Sequence, residues 1–68
     1  TRLDDHAAAL STEPRTAYEI SLQVFGRELA PIQRRFAVAE TLSHLERLVR
    51  ESRAGRGGDD SRVSYTSP

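Results

Sequence analysis

In the stretch FAVAETLSHLERLV, residues 36–49, Glu40 and His44 stand four residues apart inside a helical pattern. Side chains at this spacing share one helix face on successive turns, as helical histidines do when they hold a zinc ion. Two ligands fall short of the usual four. His6 is the other histidine, and Asp4 or Asp5 would have to join it from a different helix, so the spacing suggests a metal site without completing one. The plainer reading is a glutamate-to-histidine helical pair, stabilising by about 0.2–0.5 kcal/mol when the imidazole is charged.

Nucleophilic chemistry has less to work with. Ser43 precedes His44, but consecutive helical residues point to different faces, so the hydroxyl is not set within reach of that base. The pairs Asp4-Asp5 and Asp59-Asp60 fall in a helix start and a Gly-rich turn, without the apolar enclosure that raises one carboxyl for acid work. No catalytic residue, metal ligand or cofactor is assigned to this chain. Whether it belongs to an enzyme must be read from other features.

Two readings of the same helix remain. Gln33, Ala37, Glu40, His44, Arg47 and Glu51 fall on one stripe, and the polar members Gln33, Glu40, His44 and Arg47 suit pairing across a protein interface. In the alternative, a free-standing DNA-binding transcription regulator, the helix enters a DNA major groove with Gln33, Arg34, Arg47 and Arg50 as candidates, and Arg56 and Arg62 stand on the wing. Glu40 and Glu51 on that stripe would repel phosphate.

The composition bears on both readings. The chain has 68 residues, ten arginines and no lysine against ten acidic residues, so no overall field draws it to a polyanion. A single small domain is the ceiling at this length. There is no cysteine, hence neither a disulfide frame nor a thiolate zinc site. No apolar run reaches the length of a signal peptide core or membrane span, and the expected setting is cytoplasmic. Methionine is absent even at position 1, so the chain is expected to be a piece of a longer protein.

The elements that must position these residues follow from local signals. Leu3, His6, Ala7 and Leu10 recur at helical spacing, predicting a short first helix that ends near Leu10, with His6 half-buried. Pro14 breaks the pattern. Thr16-Ala17-Tyr18-Glu19 has capping-box spacing and opens a second helix, Ala17–Phe25, with apolar residues around most of its circumference and only Glu19 and Gln23 plainly facing water. Gly26 suits the left-handed residue that ends it, and Pro31 suits the start of a third helix over about 32–53. The third helix should pack first through Ile32, Phe36 and Ala39, then through Val38, Leu42, Leu45 and Val49.

Beyond it, Ser52-Arg53-Ala54 can extend, residues 55–60 read as a flexible turn, and Arg62-Val63-Ser64-Tyr65-Thr66 alternates with Val63 and Tyr65 on one face. The expected fold is mainly α, a winged helix of three helices plus a C-terminal β-hairpin wing over residues 1–66, with 67–68 as a tail.

Arg15-Thr16-Ala17-Tyr18-Glu19-Ile20, Val24-Phe25 and the run from Arg34-Arg35-Phe36 through Ala39-Glu40-Thr41-Leu42-Ser43-His44-Leu45-Glu46-Arg47-Leu48 resemble the C-terminal winged-helix module of metallo-β-lactamase-fold hydrolases. Some of these lactamase-like proteins are endoribonucleases. The resemblance implies a module that docks on a preceding catalytic domain and helps wall its substrate entrance. It also implies that zinc is held by an H-x-H-x-D-H motif in that other domain, since the motif is absent here. The chain departs from the family's pattern at Glu51-Ser52, where members often carry a Glu-Gly pair leading into the wing.

Overall fold

The computed structural model describes residues 1–59 and 61–68. Its order is α1 (Arg2–Ala8), α2 (Ala17–Phe25), α3 (Pro31–Arg50), β1 (Gly55–Asp59) and β2 (Arg62–Thr66), a mainly α, winged-helix-like arrangement. Asp60, expected in the turn, lies outside the described residues.

Each helix starts where a local cap dictates. Thr1 caps α1, its hydroxyl accepting the Asp4 amide at 3.2 Å, and Asp4 and Asp5 sit in the positive first turn. The helix stops at Ala8, short of the expected Leu10, because Leu10 donates to Ala7 in a tight three-residue step that ends the regular ladder. At α2 the predicted capping box is present in full: Glu19 donates its amide to Thr16 Oγ1 at 3.2 Å, and its carboxylate accepts the Thr16 amide at 2.8 Å. Gly26 ends α2 at φ 89° and ψ 168°, a region essentially reserved for glycine. Pro31 opens α3, and Gln33 Oε1 takes the Ala30 amide at 2.8 Å.

The end of α3 differs from expectation. The helix closes at Arg50, three residues before the predicted end, through a Schellman turn: Arg53 donates to the Leu48 carbonyl at 2.8 Å and Ser52 to Val49 at 3.0 Å. Ser52 therefore takes φ 60°, the left-handed conformation that glycine adopts without strain. Residues 52–54 do not extend; the first strand lies in the Gly-rich segment read as a loose turn. Pairing with β2, from Gly55↔Thr66 to Asp59↔Arg62, overrides glycine's weak strand preference. At Gly58, φ is 92° and a Cβ would stand 2.0 Å from the Arg62 carbonyl oxygen, so only glycine fits this close approach. The hairpin gains a third edge at Arg15, whose amide and carbonyl both pair with Tyr65. Ser67 is held by the Ser11 carbonyl at 2.8 Å.

The core comprises Ala9, Ala17, Ile20, Leu45, Leu48, Ala54 and Tyr65, with Leu3, Ala7, Leu10, Val24 and Val49 packed against it. Ile20 is central, as the position of α2 predicts. The side of α3 that faces this core is the predicted one at Leu45 and Val49 but not in its first half. Ala37, Thr41, Leu45 and Leu48 point inward, whereas Ile32, Phe36, Ala39 and Leu42 are exposed. Ala37, placed on the outward stripe by its polar neighbours, is buried. The physical reason is close approach: Ala37 and Thr41 are small enough to let α1 and α2 lie against the helix, and Ile32 and Phe36 are not. Tyr18 is likewise turned out of the arc assigned to α2, and Ser21 is buried in its place with its hydroxyl on the Tyr18 carbonyl at 2.7 Å.

Candidate functional site

The predicted site residues Glu40 and His44 meet the first helix. Glu40 Oε2 lies 3.2 Å from an Arg2 guanidinium nitrogen and 3.5 Å from His44 Nε2, bridging α1 to α3. Arg2 also lies over the Phe25 ring, 4.5 Å from its centroid, so one guanidinium ties together three helices. The His44 ring stands 4.7 Å from that of His6, which in turn packs 5.7 Å from Phe25. Arg53 continues the seam by reaching Asp4 at 3.6 Å.

His6 is fully buried rather than half-buried. Its Nδ1 is 2.7 Å from the Arg2 carbonyl oxygen, which can only accept, so Nδ1 carries the proton. Nε2 is then the acceptor for the Thr41 hydroxyl at 3.0 Å. The pair joins α1 to α3 across 35 residues of sequence. Burial lowers the His6 pKa from 6.5; the charges of His44 and Arg2 act the same way, against the Arg2 carbonyl and Glu40. Among the described residues no three His, Cys, Asp or Glu side chains stand together as candidate metal ligands.

Of the other predicted residues, Gln33, Arg34, Arg47, Arg56 and Arg62 are engaged within the domain. Arg34 donates to the Ser21 hydroxyl at 3.2 Å and to the Gly26 carbonyl, closing the end of α2. Arg47 pairs with Glu51 at 2.9 Å, Arg56 with Glu46, and Arg62 with Glu19 at 3.6 Å. Gln33 spends its side-chain oxygen on the Ala30 amide. Each of these side chains thus has a partner in its own fold.

Sequence reasoning missed two features. The buried Tyr65 donates its hydroxyl to Glu46 at 2.6 Å, and the same carboxylate takes Arg56, so the hairpin is pinned to α3 at one point. Burial and the Glu46 carboxylate push the Tyr65 pKa up to about 12, while the Tyr65 and Arg56 hydrogen bonds hold Glu46 below its usual value. No local signal links residues so far apart in sequence. The second is the exposed row on α3, with Phe36 70 % and Ile32 55 % exposed. Its signal was present: α3 carries two apolar faces, more than a domain of this size can cover.

No helix among the described residues is long and apolar enough to cross a membrane. The family model for the metallo-beta-lactamase-like C-terminal domain matches residues 3–67. The chain belongs to that family. A crystal structure of a beta-lactamase domain protein from Burkholderia ambifaria is similar at 33% identity and a TM-score of 0.81, covering 98% of this chain. The chain spans 20% of that protein's length. No curated protein matches it.

Proposed function

We propose that this domain is the accessory C-terminal module of a zinc-dependent metallo-β-lactamase-like hydrolase, seated on the catalytic domain and shaping its substrate entrance. The observation that carries the reading is the asymmetry of the structural match: 98% of this chain corresponds to 20% of a beta-lactamase domain protein. The parent's chemistry, on this reading, is attack of metal-activated water on an ester, thioester or phosphodiester. The residues described here do not fit that zinc, since they bring no ligand set together. The module contributes position and shape.

The test begins with the coding sequence upstream of the Thr1 codon, read in frame for about 200 residues, roughly one further domain. An H-x-H-x-D-H motif there supports the reading, and a start codon close to Thr1 overturns it. In the encoded hydrolase, deleting this module should leave zinc content unchanged and raise KM or relax substrate choice. Unaltered kinetics would remove the entrance-shaping role.

A further inference from the structure

We infer that the module seats on the catalytic domain through the outer face of the first half of α3, and that the surface opposite is apolar with a carboxylate facing Arg35. The inference rests on the docking reading above and names its contact. Ile32, Arg35, Phe36, Ala39 and Leu42 recur at three- and four-residue steps, so they form one row along the helix, on the side away from buried Ala37, Thr41, Leu45 and Leu48. Tyr18 of α2 flanks this row. Four of the five exposed large apolar side chains among the described residues lie here: Phe36 at 70 %, Ile32 at 55 %, Tyr18 at 53 % and Leu42 at 41 % exposure.

They form one patch. A hollow of about 400 Å³ beside Tyr18 and Leu42 and a second of about 280 Å³ beside Ile32 and Phe36 share Arg35 and Ala39 as common walls. Scattered exposed apolar residues are ordinary, but a contiguous patch rimmed by a charge marks a contact surface. Among the described residues nothing covers it: α3 has 20 residues, and its neighbours α1 and α2 have 7 and 9.

Charge points to the chemistry of the occupant. Arg35 has no ion-pair or hydrogen-bond partner among the described residues, although the chain balances ten arginines with ten acids. Seating an apolar surface around an unpaired guanidinium requires a carboxylate opposite, or its desolvation opposes the contact. The remaining four fifths of the Burkholderia ambifaria protein is the polypeptide that such a module has available to it. By contrast, Glu40 and His44 are occupied with Arg2 inside the seam between α1 and α3.

The experiment uses the full-length polypeptide and two double variants, Ile32→Ser with Phe36→Ser, and Glu40→Gln with Arg47→Gln. Both alter exposed side chains, and circular dichroism checks that the module still folds. Thermal unfolding and limited proteolysis report whether the two domains act as a unit. The expected result is that the first pair splits one unfolding transition into two and speeds proteolytic release of the module at least tenfold, while the second pair does neither. Arg35→Glu should act like the first pair, and Arg35→Lys should not. If the Glu40 and Arg47 pair alone uncouples the domains, the docking reading stands and this face is wrong. If no variant uncouples them, docking stands through another surface and this face is wrong; two independent transitions in the unsubstituted polypeptide would overturn docking itself. A concentration-dependent dimer lost in the Ile32 and Phe36 variant, with domain coupling intact, would assign the face to a second copy and overturn the inference.

Discussion

The Thr41 hydroxyl donates to His6 Nε2 across 3.0 Å, with both side chains fully buried, and this contact joins the first helix to the third. Thr41→Val keeps the shape and deletes the donor, leaving a buried ring nitrogen without a partner. The expected cost is about 1–3 kcal/mol, read as a lower urea midpoint at unchanged slope. An unchanged midpoint would mean that water replaces the hydroxyl.

The same pair sets a pH response. The folded state holds a proton on His6 less readily than the unfolded chain does, so this group's full contribution is present above about pH 6.5. Stability is lost as pH falls from there through the lower folded-state pKa. Arg2, Glu40 and His44 face the ring, and the net direction includes their charges. Urea midpoints between pH 7.5 and 5.5 should decline, and the imidazole resonance of His6 should titrate below the usual histidine value. A midpoint that rises on acidification would contradict the assigned neutral tautomer.

Ser52 occupies the left-handed position of a Schellman turn, at φ 60°. Ser52→Gly is expected to stabilise the domain by about 1 kcal/mol, since the left-handed penalty on a side chain disappears. For a domain of this size that is a rise in Tm of about 4–8 °C. Calorimetry of the two forms decides the matter, and an equal or lower Tm for the glycine form would show that the turn is not strained.

Tyr65 donates to Glu46 at 2.6 Å where the hairpin meets α3. Tyr65→Phe should cost about 1 kcal/mol, below the range of about 1.5–3 kcal/mol for a bond to a charged group because Glu46 is partly solvated. In the unsubstituted domain the Tyr65 phenol ionises near 12, above its usual 10.0. The stabilisation is complete below pH 10 and is lost as pH rises through the folded value. Ultraviolet titration should therefore resolve a late-ionising tyrosine that disappears in the Phe variant. Ionisation of both tyrosines below pH 11 would exclude a buried hydroxyl.

The order of elements was legible because its signals are local. Thr16 and Glu19, Gly26 and Pro31 act within one or two helical turns, and each marks the boundary its chemistry predicts. The departure at Glu51-Ser52 also fell on a position with a structural demand, the left-handed turn that glycine satisfies more easily. The resemblance carried by residues 15–48 named the family that the match over residues 3–67 establishes.

The rotation of α3 about its own axis was not legible, and the candidate site depends on it. Apolar content favoured Ile32, Phe36 and Leu42 as packed along with Leu45 and Val49, of which the last two hold, and polarity placed Ala37 outside. Close packing against α1 and α2 instead selects the small Ala37 and Thr41, with His6 supplying the partner that lets a threonine lie in the core. That choice turns Glu40 and His44 toward Arg2 and leaves Phe36 in water. The amino-acid sequence by itself determined where the second and third helices begin and where the second ends, since caps and turns are short-range. Only the tertiary structure decided which face of α3 is buried, because that depends on the volumes and hydrogen-bond partners of residues distant in the chain.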